Sequence, residues 1–434
     1  MSTAPDLSWL ASPTTHQEAG LSADLLMRLA LKTLYAAGEL GGNELARRLG
    51  VLFGVIEPSL DFLKTQRHCE VVAGTIVGAA SYRYRITVEG RSVAQMFLEQ
   101  DRYIGPAPVP VAQYRSYMDI VRRATASHVK RATVREAYSH LVLSDGVLDE
   151  IGAAVRGGRS LFIYGPPGNG KTVIAHGIHA LLSGDVLIPH ALEVEGAIIL
   201  VFDPVNHEER PPTAQDEERL AMDPAPSDGR WARCRRPIVK VGGEMTLDSL
   251  DLTFDPRLGY YRAPLQIMAN GGVLVIDDFG RQRCAPAELL NRWMVPLESG
   301  VDYMTLRSGQ KFEVPFMPFV AFATNIRPAD LVDEAFLRRV PNKVLAENPS
   351  REQFIRIFQR QCIDLSLAFD PRLPEHLLDR VYVAHGITAR GCHPRDLINQ
   401  AVLLAEYRGL PRTLTTELLD TVSAHYFIAQ ASQD

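Results

Sequence analysis

The residues best equipped for chemistry are Gly165-Pro166-Pro167-Gly168-Asn169-Gly170-Lys171-Thr172, which satisfy G-x-x-x-x-G-K-[ST] in full. The glycines let backbone N–H groups turn inward around phosphate oxygens. The start of a following helix adds positive potential. In such a loop Lys171 reaches the β and γ phosphates and Thr172 ligates Mg²⁺. The flanks have the required character. Ser160 to Tyr164 is a β-rich run immediately before the loop, and Val173 to Leu182 has the composition of a helix immediately after it. The chemistry implied is the binding of ATP with Mg²⁺.

Two further runs end in polar residues. Gly272-Val273-Leu274-Val275-Ile276-Asp277-Asp278 reads as a buried parallel strand that delivers carboxylates to its C-terminal end. Asp277 would hold Mg²⁺ through water, and Asp278 would orient or deprotonate an attacking water. Phe319-Val320-Ala321-Phe322-Ala323-Thr324-Asn325 is a second such strand, whose Asn325 amide would touch the γ-phosphate or that water.

The elements that must position these groups belong to an ordinary globular chain. It has 434 residues, a formal net charge of −5, 46% hydrophobic and 22% charged residues. Those fractions exclude a mainly disordered or fibrous protein, and the mild acidity argues against a general nucleic-acid coat. The five cysteines form no CxxC pair and no zinc-spaced cluster, so they read as reduced thiols of a cytoplasmic protein. The first twenty residues lack the pattern of a secretory signal. The longest uncharged stretch, Val314 to Ile326, is too short to span a membrane. No G-x-S-x-G or H-E-x-x-H occurs, which leaves classical serine or zinc hydrolase chemistry without support.

The expected organisation has five parts. Residues 1–20, rich in Ser, Thr, Pro and Ala, read as a disordered tail. Residues 21–104 read as a winged helix: three helices, the third from about Pro58 to Gln66, then strands Glu70 to Val77 and Tyr82 to Val88 around a Gly/Ala-rich tip. Residues 105–124 open with Gly105-Pro106-Ala107-Pro108-Val109-Pro110 and read as a linker. Residues 125–348 form the α/β core, interrupted at 203–237 by a charged, Pro-rich surface insertion. Residues 349–434 form a helical lid.

In order, the phosphate loop, the acid strand, the Asn strand, an arginine-bearing segment and a helical C-terminus resemble the AAA+ ATPases over residues 125–430. The resemblance implies an α/β fold: a P-loop AAA+ core with a parallel sheet, a C-terminal helical lid and an N-terminal winged-helix domain. It implies ATP and Mg²⁺ as ligands and a homo-oligomer, a hexameric ring. Leu331 to Pro341 looks like the stretch whose arginine enters the neighbouring subunit's site; Arg339 is the first choice and Arg338 the second. Arg390-Gly391-Cys392-His393-Pro394-Arg395 resembles the sensor-2 segment, with Arg395 in the first turn of a helix facing the nucleotide. His393 and Cys392 read as structural neighbours there. Ala263 to Gly272, with Leu289 to Glu298, looks like the helix-2-insert branch, which includes MoxR-like ATPases. Its substrate-touching insertion would be Val241 to Arg262, with Tyr260 and Tyr261 either gripping a polypeptide or simply packing as a hairpin pair. The family's usual Glu is here Asp278, one methylene shorter, which favours slow, partner-stimulated turnover.

Three functions follow as expectations. The first is remodelling of a protein client driven by ATP hydrolysis. The second is a DNA-directed ATPase that docks through the winged helix. The third is a slow nucleotide-gated switch. The candidate recognition helix carries Glu57, Asp61, Lys64 and Arg67, which sum to zero charge and weigh against DNA.

Overall fold

The computed structural model describes residues 11–72, 78–125, 129–158, 160–211, 227–331, 334–383 and 386–427. The outer part of the expected tail (1–10), the end of the first expected hairpin strand (73–77) and the middle of the expected insertion (212–226) lie outside them. The chain divides into two compact units. One comprises 1–128, 182–274 and 288–319; the other comprises 129–181, 275–287 and 320–434.

The first unit begins with a small helical layer. Ser22 caps the helix Ala23–Ala37 by accepting from Leu25 N–H, and Leu25, Leu26, Leu29 and Leu34 fall on its buried face. Strand Glu39–Gly41, helices Gly42–Arg48 and Phe53–Thr65, and strands Cys69–Val72 and Arg83–Ile86 follow. The last strand lies between the other two and is antiparallel to both. This succession follows the three-helix-and-hairpin pattern read from the sequence. Its third helix starts at Phe53, before the expected Pro58. A further helix, Val88–Gln100, packs on the first, and Lys32, fully buried, forms an ion pair with Asp101 just beyond it.

Three expectations need correction here. Residues 12–19 are ordered rather than part of a free tail: the helix His16–Ala19 buries Ala19, whose carbonyl accepts from Arg230. Residues 105–124 are not a linker. Val109–Pro110 joins a sheet, and Val111–Thr125 is a helix with Tyr114, Tyr117, Met118 and Val121 buried. The prolines that suggested a linker stop just before this helix begins. Tyr117 meets Trp231 edge-on at 5.1 Å, and its hydroxyl accepts from Leu187 N–H. The insertion, in turn, ends in a structural strand, Trp231–Arg235, paired antiparallel with Asp185–Pro189. Burial of Trp231, Ala232 and Cys234 pins it.

A five-stranded sheet in this unit runs in the order 253–255, 260–262, 197–200, 191–194, 109–110. Its central hairpin turns on Glu195 and Gly196, both at positive φ, the two-residue turn that matches strand twist. Tyr260 and Tyr261 sit on the strand paired with Thr253–Asp255. Tyr261 is buried and its hydroxyl accepts from Arg307 N–H, while Tyr260 packs edge-on against Tyr103. They are a packed hairpin pair, as the simpler of the two expectations had it.

The sheet that carries the motifs has the strand order Ile238–Val241, Val273–Ile276, Phe319–Thr324, Leu161–Tyr164, Asn342–Leu345. The strand Leu161–Tyr164 runs parallel to both its neighbours, with Ile163 beside Ala323 on one side and Val344 on the other. Leu161, Phe162 and Ile163, with Val273 to Ile276, are fully buried, as strands covered on both faces must be. The fold is therefore α/β, a parallel P-loop sheet followed by helices. In the second unit the C-terminal helices Arg351–Asp364, Arg372–His376, His393–Tyr407 and Thr416–Tyr426 share one core built on Phe354, Phe358, Leu377, Leu397 and Leu419. The first of them opens with a capping box between Ser350 and Gln353.

Replacing Tyr117 by Ala should lower the unfolding free energy by about 3 kcal/mol in urea melts, the cost of emptying a buried aromatic site. A change within about 0.5 kcal/mol, as at an exposed linker position, would contradict the packed helix.

Candidate functional site

The loop Gly165–Thr172 lies between the strand Leu161–Tyr164 and the helix Lys171–Leu181. Gly165, Gly168 and Gly170 have φ of 140°, 82° and 73°, values that L side chains rarely adopt. At Gly165 a Cβ would also stand 2.4 Å from the carbonyl oxygen of Ala346. Lys171 folds back over the loop and donates to the carbonyls of Gly165 (3.0 Å) and Pro166 (2.9 Å). Burial lowers its ammonium pKa, against the opposing pull of Asp278 and Asp277.

Thr172 Oγ1 lies 3.0 Å from each carboxylate oxygen of Asp277. The hydroxyl donates to a half-buried carboxylate at the end of the strand Val273–Ile276. These two residues come from segments 105 positions apart. The donor set is a hydroxyl and one carboxylate beside a phosphate loop. That suits Mg²⁺, which keeps several waters and binds through one or two carboxylates plus substrate phosphates. The cradle and the donors fit both groups that the motif implies.

Asp278 follows in the left-handed region, φ 47°. The side chain of Gln282 closes this turn. Its amide donates to the carbonyls of Asp277 (2.9 Å) and Asp278 (3.2 Å), and its oxygen accepts from Gly280 N–H (2.8 Å). Phe279 N–H donates to Ala323 O, and the buried Thr324 hydroxyl donates to Phe279 O. The acid turn is thereby stitched to the neighbouring strand. That strand brings Asn325 to the site, with its amide 3.4 Å from Asp278 Oδ1. Sequence reasoning missed Gln282. The turn it closes, with Asp278 at positive φ, is not written in the spacing of the motif, so no sequence signal pointed to it.

The arginines are placed as follows. Helix Glu334–Arg339 is anchored by buried Phe336 and followed by buried Val340. Arg338 is exposed and pairs with Glu334 at 3.1 Å, while Arg339 is half-exposed at the helix end. Arg395 does lie in the first turn of His393–Tyr407, but it is exposed and pairs with its neighbour Asp396. The residues of this segment that touch the phosphate loop are Gly391 and Cys392, whose N–H groups donate to Asn169 Oδ1 (2.9 Å) and Gly168 O (2.8 Å). His393 is buried, and its Nδ1 accepts from the Tyr382 hydroxyl and from Arg390 N–H. Burial first, and the nearby Arg390 charge second, push its pKa down to about 4.

One family matches by sequence, a domain of unknown function (DUF8689), over residues 350–424. No curated protein matches. Among solved structures, the chain is similar to the RuvB Holliday junction branch migration motor of Thermotoga maritima. The two are 13% identical over 65% of this chain and 69% of that one, with a TM-score of 0.38. It is also similar to NtrX from Brucella abortus. The ADP complex is 14% identical over 76% of this chain and 64% of that one, TM-score 0.39. The ATP complex is 13% identical over 88% and 72%, TM-score 0.39. The fold assignment above rests on this chain's own strand order and phosphate loop.

His393 yields a pH prediction. With a folded pKa near 4 against an ordinary value of about 6.5, the unfolded chain binds more protons between those limits. Stability must therefore fall as pH drops through that window. Between pH 7 and pH 4.5, urea melts should show the wild type losing about 2 kcal/mol more than His393→Asn, which keeps an acceptor but cannot titrate. Equal losses would contradict a buried neutral imidazole.

Proposed function

We propose that this chain is an ATPase of the AAA+ kind that couples ATP binding and hydrolysis to the remodelling of a protein partner. The observation that carries the reading is the contact of Thr172 with Asp277, beside a glycine loop over which Lys171 is folded. Loop N–H groups and Lys171 would bind the β and γ phosphates, and Thr172 and Asp277 would hold Mg²⁺. The ion, when bound, neutralises charge on the phosphate oxygens. Asp278 orients or deprotonates the attacking water, and Asn325, within reach of Asp278, steadies that carboxylate or meets the γ-phosphate. The left-handed backbone at Asp278 gives the shorter acid a reason: Asp tolerates αL more readily than longer side chains do.

Arg339 acts in trans across a homo-oligomeric ring and stabilises charge on the γ-phosphoryl oxygens. The N-terminal module recruits the client, and a protein client fits its charges better than DNA does. Lys64 pairs with Asp61, Arg83 and Arg85 share Glu39, and Glu70 lies 3.9 Å from Arg85, so acids offset the basic groups of the helix Phe53–Thr65 and of the hairpin strands. No described helix is long and apolar enough to cross a membrane.

Phosphate release from Mg-ATP tests the reading. Lys171→Ala should neither bind nor hydrolyse ATP. Asp278→Asn should bind but turn over about 100-fold more slowly. Arg339→Ala should lose about 1000-fold in turnover while Arg338→Ala stays near wild type. Wild-type turnover in Asp278→Asn would contradict the assignment of the water-activating carboxylate.

A further inference from the structure

The side chain of Asn169 makes contacts that a phosphate cradle does not require. Its oxygen accepts from Gly391 N–H at 2.9 Å. Its nitrogen donates to Asn348 Oδ1 at 2.8 Å and to Ala346 O at 3.3 Å. One partner is an obligate donor and another an obligate acceptor, so the amide has only one orientation that satisfies both. Asn348 stands two residues before Ser350, the cap of helix Arg351–Asp364. Gly391 stands two residues before His393, where helix His393–Tyr407 begins. A single carboxamide on the phosphate loop therefore grips the entries to two lid helices. Those helices share one core, to which they contribute Phe354, Phe358, Leu397 and Ala401.

A second contact links the same peptide to the lid. Cys392 N–H donates to Gly168 O at 2.8 Å. In a trans peptide the carbonyl oxygen and the next N–H point to opposite sides, and no described peptide is cis. Holding Gly168 O toward residue 392 therefore turns Asn169 N–H the other way, where it can serve as a phosphate donor. The segment cannot yield independently of its helix, because His393 Nδ1 accepts from both Arg390 N–H and the Tyr382 hydroxyl.

We propose that Asn169 is the positioning residue through which phosphate binding reaches the lid, its backbone N–H facing the phosphate while its carboxamide holds residues 348 and 391. This rests on the ATPase reading and deepens it: the lid responds to the loop directly, through hydrogen bonds from residues 168 and 169. Because coupling is reciprocal, a lid held in the wrong register should also weaken the loop's grip on phosphate.

Hydrogen exchange across residues 388–400 tests this, with and without saturating Mg-ATP, in the full-length wild type, Asn169→Ala and Asn348→Ala. ATP should slow exchange there about tenfold in the wild type and less than about twofold in Asn169→Ala, with Asn348→Ala between them. Wild-type protection in Asn169→Ala at a saturating ATP concentration overturns the proposal, as does a wild type that binds ATP without protecting the lid. If Asn169→Ala binds no ATP, then Asn348→Ala decides, since full protection there also overturns it. A wild type that binds no ATP contradicts the ATPase reading instead.

Discussion

Everything at the candidate site hangs on one aromatic cluster. Phe162 and Phe322 are register partners on adjacent parallel strands, so strand geometry puts them on the same face, where they stack at 4.8 Å. Phe279, one residue past the two acids, meets them at 5.9 and 5.1 Å. Phe336, on the arginine helix, closes the group at 6.3 Å from Phe162 and from Phe322. All four rings are buried. Each well-set aromatic pair contributes about 0.5–1.5 kcal/mol beyond its buried area. The positional consequence matters more. The strand before the phosphate loop, the acid turn, the Asn strand and the arginine helix cannot move separately without unpacking that cluster.

Upon this apolar base the polar groups are strained or desolvated, and each is held by specific bonds. Asp278 adopts a left-handed backbone closed by Gln282. Lys171 gives up solvent and takes two loop carbonyls in exchange. Such costs persist only where the surroundings over-determine them, and this is where functional groups are expected. The loop glycines follow from the same crowding, since a side chain at Gly165 would strike the backbone of Ala346.

How much of this was legible depended on the kind of signal. The phosphate loop, the two strand-end acids and Asn325 could be read because an apolar run that ends in polar residues has a single physical meaning in a parallel sheet. The α/β sheet could be read for the same reason. The helix Val111–Thr125 could not, because its leading Pro-rich stretch looks like a linker and its aromatic face has meaning only against Trp231. The order of residues 12–19 rests on Arg230, 211 positions away from Ala19, and no local pattern reports such a bond. Gln282 and Asn348 act through single amides, to which no spacing rule points. Arg395 was placed correctly on its helix, but helix position alone said nothing of its pairing with Asp396.

The central claim is that Thr172 and Asp277 form the metal-bearing edge of a nucleotide site. The most direct test is the equilibrium affinity for ATP measured with and without Mg²⁺ in the wild type and in Asp277→Asn. The account predicts that Mg²⁺ tightens ATP binding at least about tenfold, or about 1.4 kcal/mol, in the wild type and leaves Asp277→Asn nearly unchanged. An equal response to Mg²⁺ in both proteins, or none in the wild type, would contradict it.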